Sequence, residues 1–201
     1  MAVSLSKGGN ISLTKAVKET GGDLTAVTVG LGWDARTTDG KGFDLDASAI
    51  LIDPAGKVLS DKDFVFFNNL VSANGSVKHL GDNLTGAGDG DDEKVVVDLA
   101  AVPAGCDKIV FPVAIFEAVE RGQSFGQVKK AFIRVVNTSP GAPTDASAEI
   151  ARFDLSEDAA TEGAMVFGEL YRNGTDWKFR AVGQGYASGL KGIAQEYSVN
   201  V

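Results

Sequence analysis

Residues 165–171, Met165-Val166-Phe167-Gly168-Glu169-Leu170-Tyr171, and 177–183, Trp177-Lys178-Phe179-Arg180-Ala181-Val182-Gly183, flank the linker Arg172-Asn173-Gly174-Thr175. Asn-Gly between two strand-like segments is the strongest short hairpin signal, because the tight turn needs left-handed backbone that glycine adopts without steric cost. Residues 24–31 alternate apolar and polar with the period of a strand. So do Phe43, Leu45, Ala47, Ala49 and Leu51, until Pro54-Ala55-Gly56 stops the run with a turn. Further strand candidates are 64–67, 77–80, 95–99, 109–116, 131–136 and 149–155. About ten short strands at this spacing predict an all-β fold, a sandwich of two antiparallel sheets with a few short helices.

Helical signals are few. Ser156 heads a capped turn over 156–160, with acids in its first turn, and 187–197 reads as a short terminal helix weakened by Gly189 and Gly192. Pro112 cannot donate to a ladder, so its strand is expected either at an edge or bulged there. The polar stretch 137–148 reads as an exposed loop within one domain spanning 1–201.

A chain of 201 residues can bury about 70% of its unfolded surface without covalent staples. Its one Cys excludes a disulfide framework and a Cys-rich zinc site. The longest apolar run, 109–116, is too short to span a bilayer, and the first residues lack a secretory apolar core. A cytoplasmic location is therefore expected. Acids outnumber bases by 27 to 19, a formal net charge of −8, which disfavours nucleic acid and anionic membranes as partners.

The acids are concentrated in two segments. One runs from Gly32 to Asp46 and contains Asp34, Asp39, Asp44 and Asp46; the other, 81–93, holds five acids and no base. Asp89, Asp91, Asp92 and Glu93 fall within five residues, among Gly86, Gly88 and Gly90. At ~6 Å and an effective dielectric near 20, each like-charge pair costs roughly 2–3 kcal/mol. The segment runs straight into the apolar strand at Val95, so these anions are held against a folded body rather than spread in solvent. A divalent cation resolves the conflict, and Ca²⁺ suits it best, since it takes six to eight oxygen ligands in pliable geometry.

An EF-hand is excluded. Counting from Asp89, position six is Lys94 where glycine is required and position twelve is Ala100 where Glu is required. Any calcium site must lie between loops of a β-scaffold. Asp44 and Asp46, two apart on a strand, share a face that continues into Ile50 and Ile52. Asp34 can converge on the same place, and Glu117, ending the 109–116 strand, is a further candidate ligand.

Catalytic signatures are sparse. There is no nucleophile elbow, Walker loop or zinc-protease motif, and one His with one Cys removes most nucleophile–histidine designs. His79 is expected to be an ordinary hydrogen-bonded residue, Cys106 a turn residue or small hydrophobe, and Asp61 and Asp63 plain loop acids. A metal-dependent phosphoesterase using the acidic cluster, and an acidic scaffold for a basic partner, stand as alternatives to a calcium-binding protein. The cations nearest the clusters in sequence are Arg36, Lys41 and Lys94.

Several long motifs carry a resemblance. They are Ser4-Leu5-Ser6-Lys7-Gly8-Gly9-Asn10, Gly30-Leu31-Gly32-Trp33-Asp34, Phe43-Asp44-Leu45-Asp46-Ala47-Ser48 and Phe66-Phe67-Asn68-Asn69. Gly81-Asp82-Asn83-Leu84-Thr85-Gly86 with Gly88-Asp89-Gly90-Asp91-Asp92-Glu93, Ser124-Phe125-Gly126-Gln127-Val128 and the segments around Phe167 and Trp177 complete it. Along essentially its whole length the chain resembles the TerD family of bacterial tellurite-resistance and general-stress proteins. The resemblance implies a β-sandwich that binds about two Ca²⁺ ions and has no established catalytic activity. It implies as ligands Asp34, Asp44, Asp46, Asp82, Asn83, Asp89, Asp91, Asp92 and Glu93, with Glu117 standing where many members have Asp. Expected partners are other proteins of the tellurite-resistance system, acting at the inner face of the membrane.

Overall fold

The computed structural model describes residues 2–34, 37–38, 41–81, 83, 90–155 and 161–200, with backbone alone for 37, 38 and 41. The strands are β1 (Val3–Ser4), β2 (Asn10–Ser12), β3 (Ala26–Gly32), β4 (Thr37–Thr38), β5 (Lys41–Gly42), β6 (Leu45–Ala47), β7 (Ala49–Ile52) and β8 (Phe64–Val65). They continue with β9 (Val77–His79), β10 (Glu93–Asp98), β11 (Lys108–Ile115), β12 (Phe132–Asn137), β13 (Glu149–Asp154), β14 (Ala164–Asn173) and β15 (Asp176–Tyr186). The helices are α1 (Leu13–Glu19), α2 (Ala118–Arg121) and α3 (Gly189–Glu196).

Two sheets face each other. One runs β1-β13-β12-β3-β10-β9; the other runs β2-β15-β14-β11-β7-β8, with β6 also pairing to β11. Every pairing is antiparallel except β1 with β13, so the first sheet is mixed at that edge. Alternation fills the space between the sheets: Val27, Val29 and Leu31 of β3 and Val95 and Val97 of β10 meet Ile109, Phe111 and Val113 of β11 and Phe167 and Phe179 of the hairpin. A second apolar cluster lies on the other face of the β11 sheet, where Ile50, Ile52, Phe64, Val110 and Val166 are covered by Ile193 and Ala194 of α3. The parity read from the sequence holds, since Ile50 and Ile52 are in this second cluster while Leu45, Ala47 and Leu51 are in the main core.

The hairpin at 172–175 closes with Asn173 opposite Asp176. Gly174 has φ of 63°, while Thr175 is not left-handed, so the glycine takes the first central position, the pattern of a II′ rather than an I′ turn. Pro112 lies in a central strand, and the ladder to β14 shifts register between Phe111 and Pro112: of the two expectations, the bulge is the one realised. The single run 43–51 is broken at Ser48, whose backbone N–H and hydroxyl both donate to the Pro112 carbonyl, at 2.8 and 3.0 Å.

Other expectations need correction. The helix α1 escaped the sequence reading, although Ser12 caps it by accepting from Lys15 N at 3.2 Å and Leu13 and Val17 bury one face. The 137–148 segment is not simply exposed: Asn137, Ser139 and Ala148 are buried, and Ser139 Oγ accepts from Thr25 and Ala26 N–H groups at 2.9 and 3.1 Å. Asp63 is no plain loop acid but a buried brace, accepting from Ser60 Oγ at 2.6 Å and Ala73 N at 3.1 Å. The capped turn at 156–160 lies outside the described residues. Among the described residues, no helix is long and apolar enough to cross a membrane.

Candidate metal centre at one end of the sandwich

Three segments meet at one end of the two sheets, and Trp33 joins them. Its backbone N–H, just beyond β3, donates to Asp92 Oδ2 at 3.0 Å, and its indole Nε1 donates to the Phe43 carbonyl at 3.2 Å. Asp92 N in turn donates to the Leu31 carbonyl at 2.8 Å, so Asp92 and the end of β3 are clasped in both directions. Asn83 Nδ2 donates to Asp92 Oδ1 at 3.3 Å, which brings Asn83 onto the same place.

Glu93 opens β10 and projects into the space between the sheets. Its Oε2 accepts from Ala47 N at 2.5 Å and its Oε1 from Asn83 N at 3.3 Å. His79 Nε2 lies 3.5 Å from the same carboxylate, and both side chains are fully buried. Nδ1 of His79 accepts from Gly81 N at 3.1 Å. Glu93 thus ties one sheet to the strand carrying Asp46 and shapes the site from behind.

Asp91 lies across Gly30, where a Cβ would collide with the carboxylate. Its Oδ1 accepts from Arg134 Nε at 2.6 Å, and Arg134 Nη1 donates to Glu149 Oε2 at 2.9 Å. The bond to Asp91 holds the Arg134 guanidinium protonated beyond its ordinary range, helped by Glu149 and opposed by burial. Arg134 is the functional-site residue that sequence proximity missed. The available signal was spatial: Gly30 faces Arg134 on one side and Lys94 on the other in the ladder. A glycine flanked by two cations across strands is a seat for an anion.

The remaining candidates are dispersed around this clasp. Asp44 and Asp46 are buried at the start of β6; the Asp44 carbonyl accepts from Phe116 N at 2.8 Å and Asp46 pairs with Ala114. Asp34 N donates to the Lys129 carbonyl at 3.0 Å, and its carboxylate is 3.9 Å from Lys130 Nζ. Glu117 has left-handed backbone, φ 51°, and turns its carboxylate to Arg121 at 3.2 Å. Asp82 and Asp89 lie outside the described residues, as do Arg36 and Asp39.

The donors suit a hard cation in kind, being oxygens, but the described residues do not close a cage. Among them no three His, Cys, Asp or Glu side chains converge as an ion would require. Asp92 shows where positive charge would be welcome: burial raises its carboxyl above the ordinary range, the neighbouring Asp91 adds to this, and the Trp33 N–H works against it.

The chain matches the TerD domain over residues 1–197. It is 58% identical over 200 residues to the tellurium resistance protein TerD of Serratia marcescens, covering 100% of this chain and 99% of that one. It is 50% identical over 202 residues to general stress protein 16U of Bacillus subtilis (strain 168), covering all of both. The crystal structure of a homologue of telluride resistance protein (TerD) from Streptomyces coelicolor A3(2) superposes with a TM-score of 0.66 at 22% identity, over 85% of this chain and 95% of that one, and shares the fold. Matched over residues 1–197 and 58% identical to a relative along its full length, this chain belongs to the TerD domain family.

Proposed function

We propose that this protein is a non-enzymatic, cytoplasmic Ca²⁺-binding protein that serves tellurium resistance or the stress response, working through other proteins of the resistance system. The observation that carries the reading is the junction at Trp33, where Asp92, the 43–46 segment and Asn83 are drawn to one end of the sandwich. About two ions would be held there, with Asp34, Asp44, Asp46 and Asp92 as ligand candidates and Asp82 and Asp89 as further ones by sequence. Asp91 and Glu93 would act chiefly as braces, since their carboxylates are buried and engaged by Arg134 and by the Ala47 and Asn83 N–H groups, whereas Asp92 is only partly buried. A bound cation would supply charge neutralisation and cross-linking of the segments. The names of the relatives support the resistance and stress role.

Two observations favour binding over catalysis. The His79 side chain is buried behind Glu93, out of reach of a substrate, and burial pushes the Cys106 thiol up to about 11, so it is no ready nucleophile at neutral pH. The test is isothermal calorimetry on the full chain. Wild type should bind Ca²⁺ saturably, and Asp92→Asn should weaken binding by about tenfold or more. No heat with wild type would overturn the calcium reading. Hydrolysis of a generic phosphoester with Mg²⁺ or Mn²⁺, lost in Asp92→Asn, would overturn the non-enzymatic one.

A further inference from the structure

Beside α2 the molecule leaves large apolar side chains uncovered. Phe67, Phe116 and Val119 are 38%, 40% and 90% exposed, and with Leu190 they line a hollow of about 370 Å³. Such a cluster is unlike the scattered single hydrophobes that any surface carries. Val119 is presented by a constrained turn. Its helix is only four residues long and is framed by left-handed backbone at Glu117 (φ 51°) and Gly122 (φ 62°). Left-handed conformation at a non-glycine residue is strained and persists only where its surroundings impose it. Here Arg121 N bonds the Glu117 carbonyl at 2.9 Å and Gln123 N bonds the Ala118 carbonyl at 2.8 Å. Gly163 packs beneath Ala118, where a Cβ would come within 2.5 Å of the alanine methyl. The fold therefore fixes, against local strain, a turn whose most exposed member is a valine.

Charge on the lining of the hollow is mainly negative. Glu117 and Glu120 are exposed on it and Asp46 is buried; no Lys or Arg lines it among the described residues, while Arg121 beside it pairs with Glu117 at 3.2 Å and lies 5.0 Å over the Phe116 ring. The whole chain carries −8. An anionic bilayer or a second copy of this chain would bring negative charge to a negative rim. A segment with apolar anchors flanked by lysines or arginines is complementary to both floor and rim.

We propose that this hollow docks a basic amphipathic helix of another protein, with its apolar face on Phe67, Phe116, Val119 and Leu190 and its cations toward Glu117 and Glu120. Helix-in-groove recognition of this kind reads apolar anchors one turn apart and uses charge to fix orientation. Docking rests on the apolar floor and the exposed rim; because Glu117 is also a calcium ligand candidate by sequence, the test turns on Val119 and Glu120, which are not.

The probe is a dye-labelled model peptide of leucine and lysine, about five helical turns long, with all leucines on one face. Its fluorescence anisotropy is followed on titration with the full chain as purified. Binding should saturate, weaken about tenfold or more in Val119→Ser and in Glu120→Lys, and stay unchanged in Val3→Ser, which alters an exposed valine on β1. Neither Val119 nor Glu120 is a calcium ligand candidate, so loss of docking and loss of calcium binding are separable. A scrambled peptide of the same composition that binds as tightly, or a Val119→Ser protein that binds like wild type, would overturn the proposal. So would dimerisation abolished by Val119→Ser, which assigns the surface to a second copy, or flotation with phosphatidylserine vesicles abolished by it, which assigns the surface to a membrane.

Discussion

Cys106 shows how far a single environment departs from what residue type suggests. Of the two sequence expectations, a turn residue or a small hydrophobe, the second is realised: Cys106 is fully buried in the main core, with its Sγ donating to the Lys108 carbonyl at 3.3 Å. Burial lifts the thiol from 9.0 to about 11, opposed by the Ile52 backbone hydrogen bond and the Arg172 charge. Below pH 9 the thiol is protonated in folded and unfolded chains alike. Between pH 9 and 11 the unfolded chain sheds its proton while the folded chain keeps it, so stability falls across that window. The span of about two pH units corresponds to roughly 2–3 kcal/mol at most. Urea midpoints of wild type should drop more steeply from pH 8 to 11 than those of Cys106→Ala, once the constant cavity cost of the alanine is subtracted. Tyr171, Tyr186 and Tyr197 also have raised pKa values and add the same alkaline loss to both proteins. Parallel pH profiles would refute a buried, protonated thiol.

At the scale of elements, legibility follows locality. The hairpin at 172–175 is readable because its turn chemistry and both strands lie within a short window of sequence. The disturbance at Pro112 is readable as an edge or a bulge because a missing N–H in an apolar strand has few outlets, and the sheet order decides for the bulge. The helix α1 was hidden by its brevity, one capped turn and two buried residues within a polar stretch. At the candidate metal centre the acids themselves were legible, because like charges crowd visibly along the chain. Arg134 and His79 were not, since they approach Asp91 and Glu93 through strand pairing and side-chain reach that no local pattern encodes. The same holds for Gly168 in β14. A Cβ there would lie 2.5 and 2.7 Å from ring atoms of the fully buried Phe179 and 3.0 Å from the Arg180 carbonyl. Register shifts between Val166 and Gly168, so the ladder is irregular where the Phe179 ring packs against Gly168. Gly168→Ala should therefore cost about 1–3 kcal/mol by overpacking, measured as a lower urea midpoint with unchanged slope. A neutral outcome would mean that the two strands can part without loss.

For the molecule as a whole, the calcium proposal makes a stability claim. Glu93 reaches from one sheet to Ala47 in the other, and Trp33 clasps Asp92 and Phe43, so the acidic end is also a place where the sheets are fastened. Unfolding would scatter the candidate ligands, and an ion that binds only the folded arrangement must then favour folding. Two ions would offset up to four of the eight net negative charges. At about 100 times the dissociation constant, each site adds roughly 2.7 kcal/mol. For a chain of this size each kcal/mol raises the melting temperature by about 2–4 °C. Chelated protein returned to excess Ca²⁺ should therefore melt roughly 10 °C or more higher. Mg²⁺ should shift it less, because it gives up its waters reluctantly and demands a stricter octahedron. KCl at matched ionic strength separates specific binding from simple screening of the acidic surface. A melting curve that KCl moves as far as Ca²⁺ does would reduce the acidic end to ordinary surface charge.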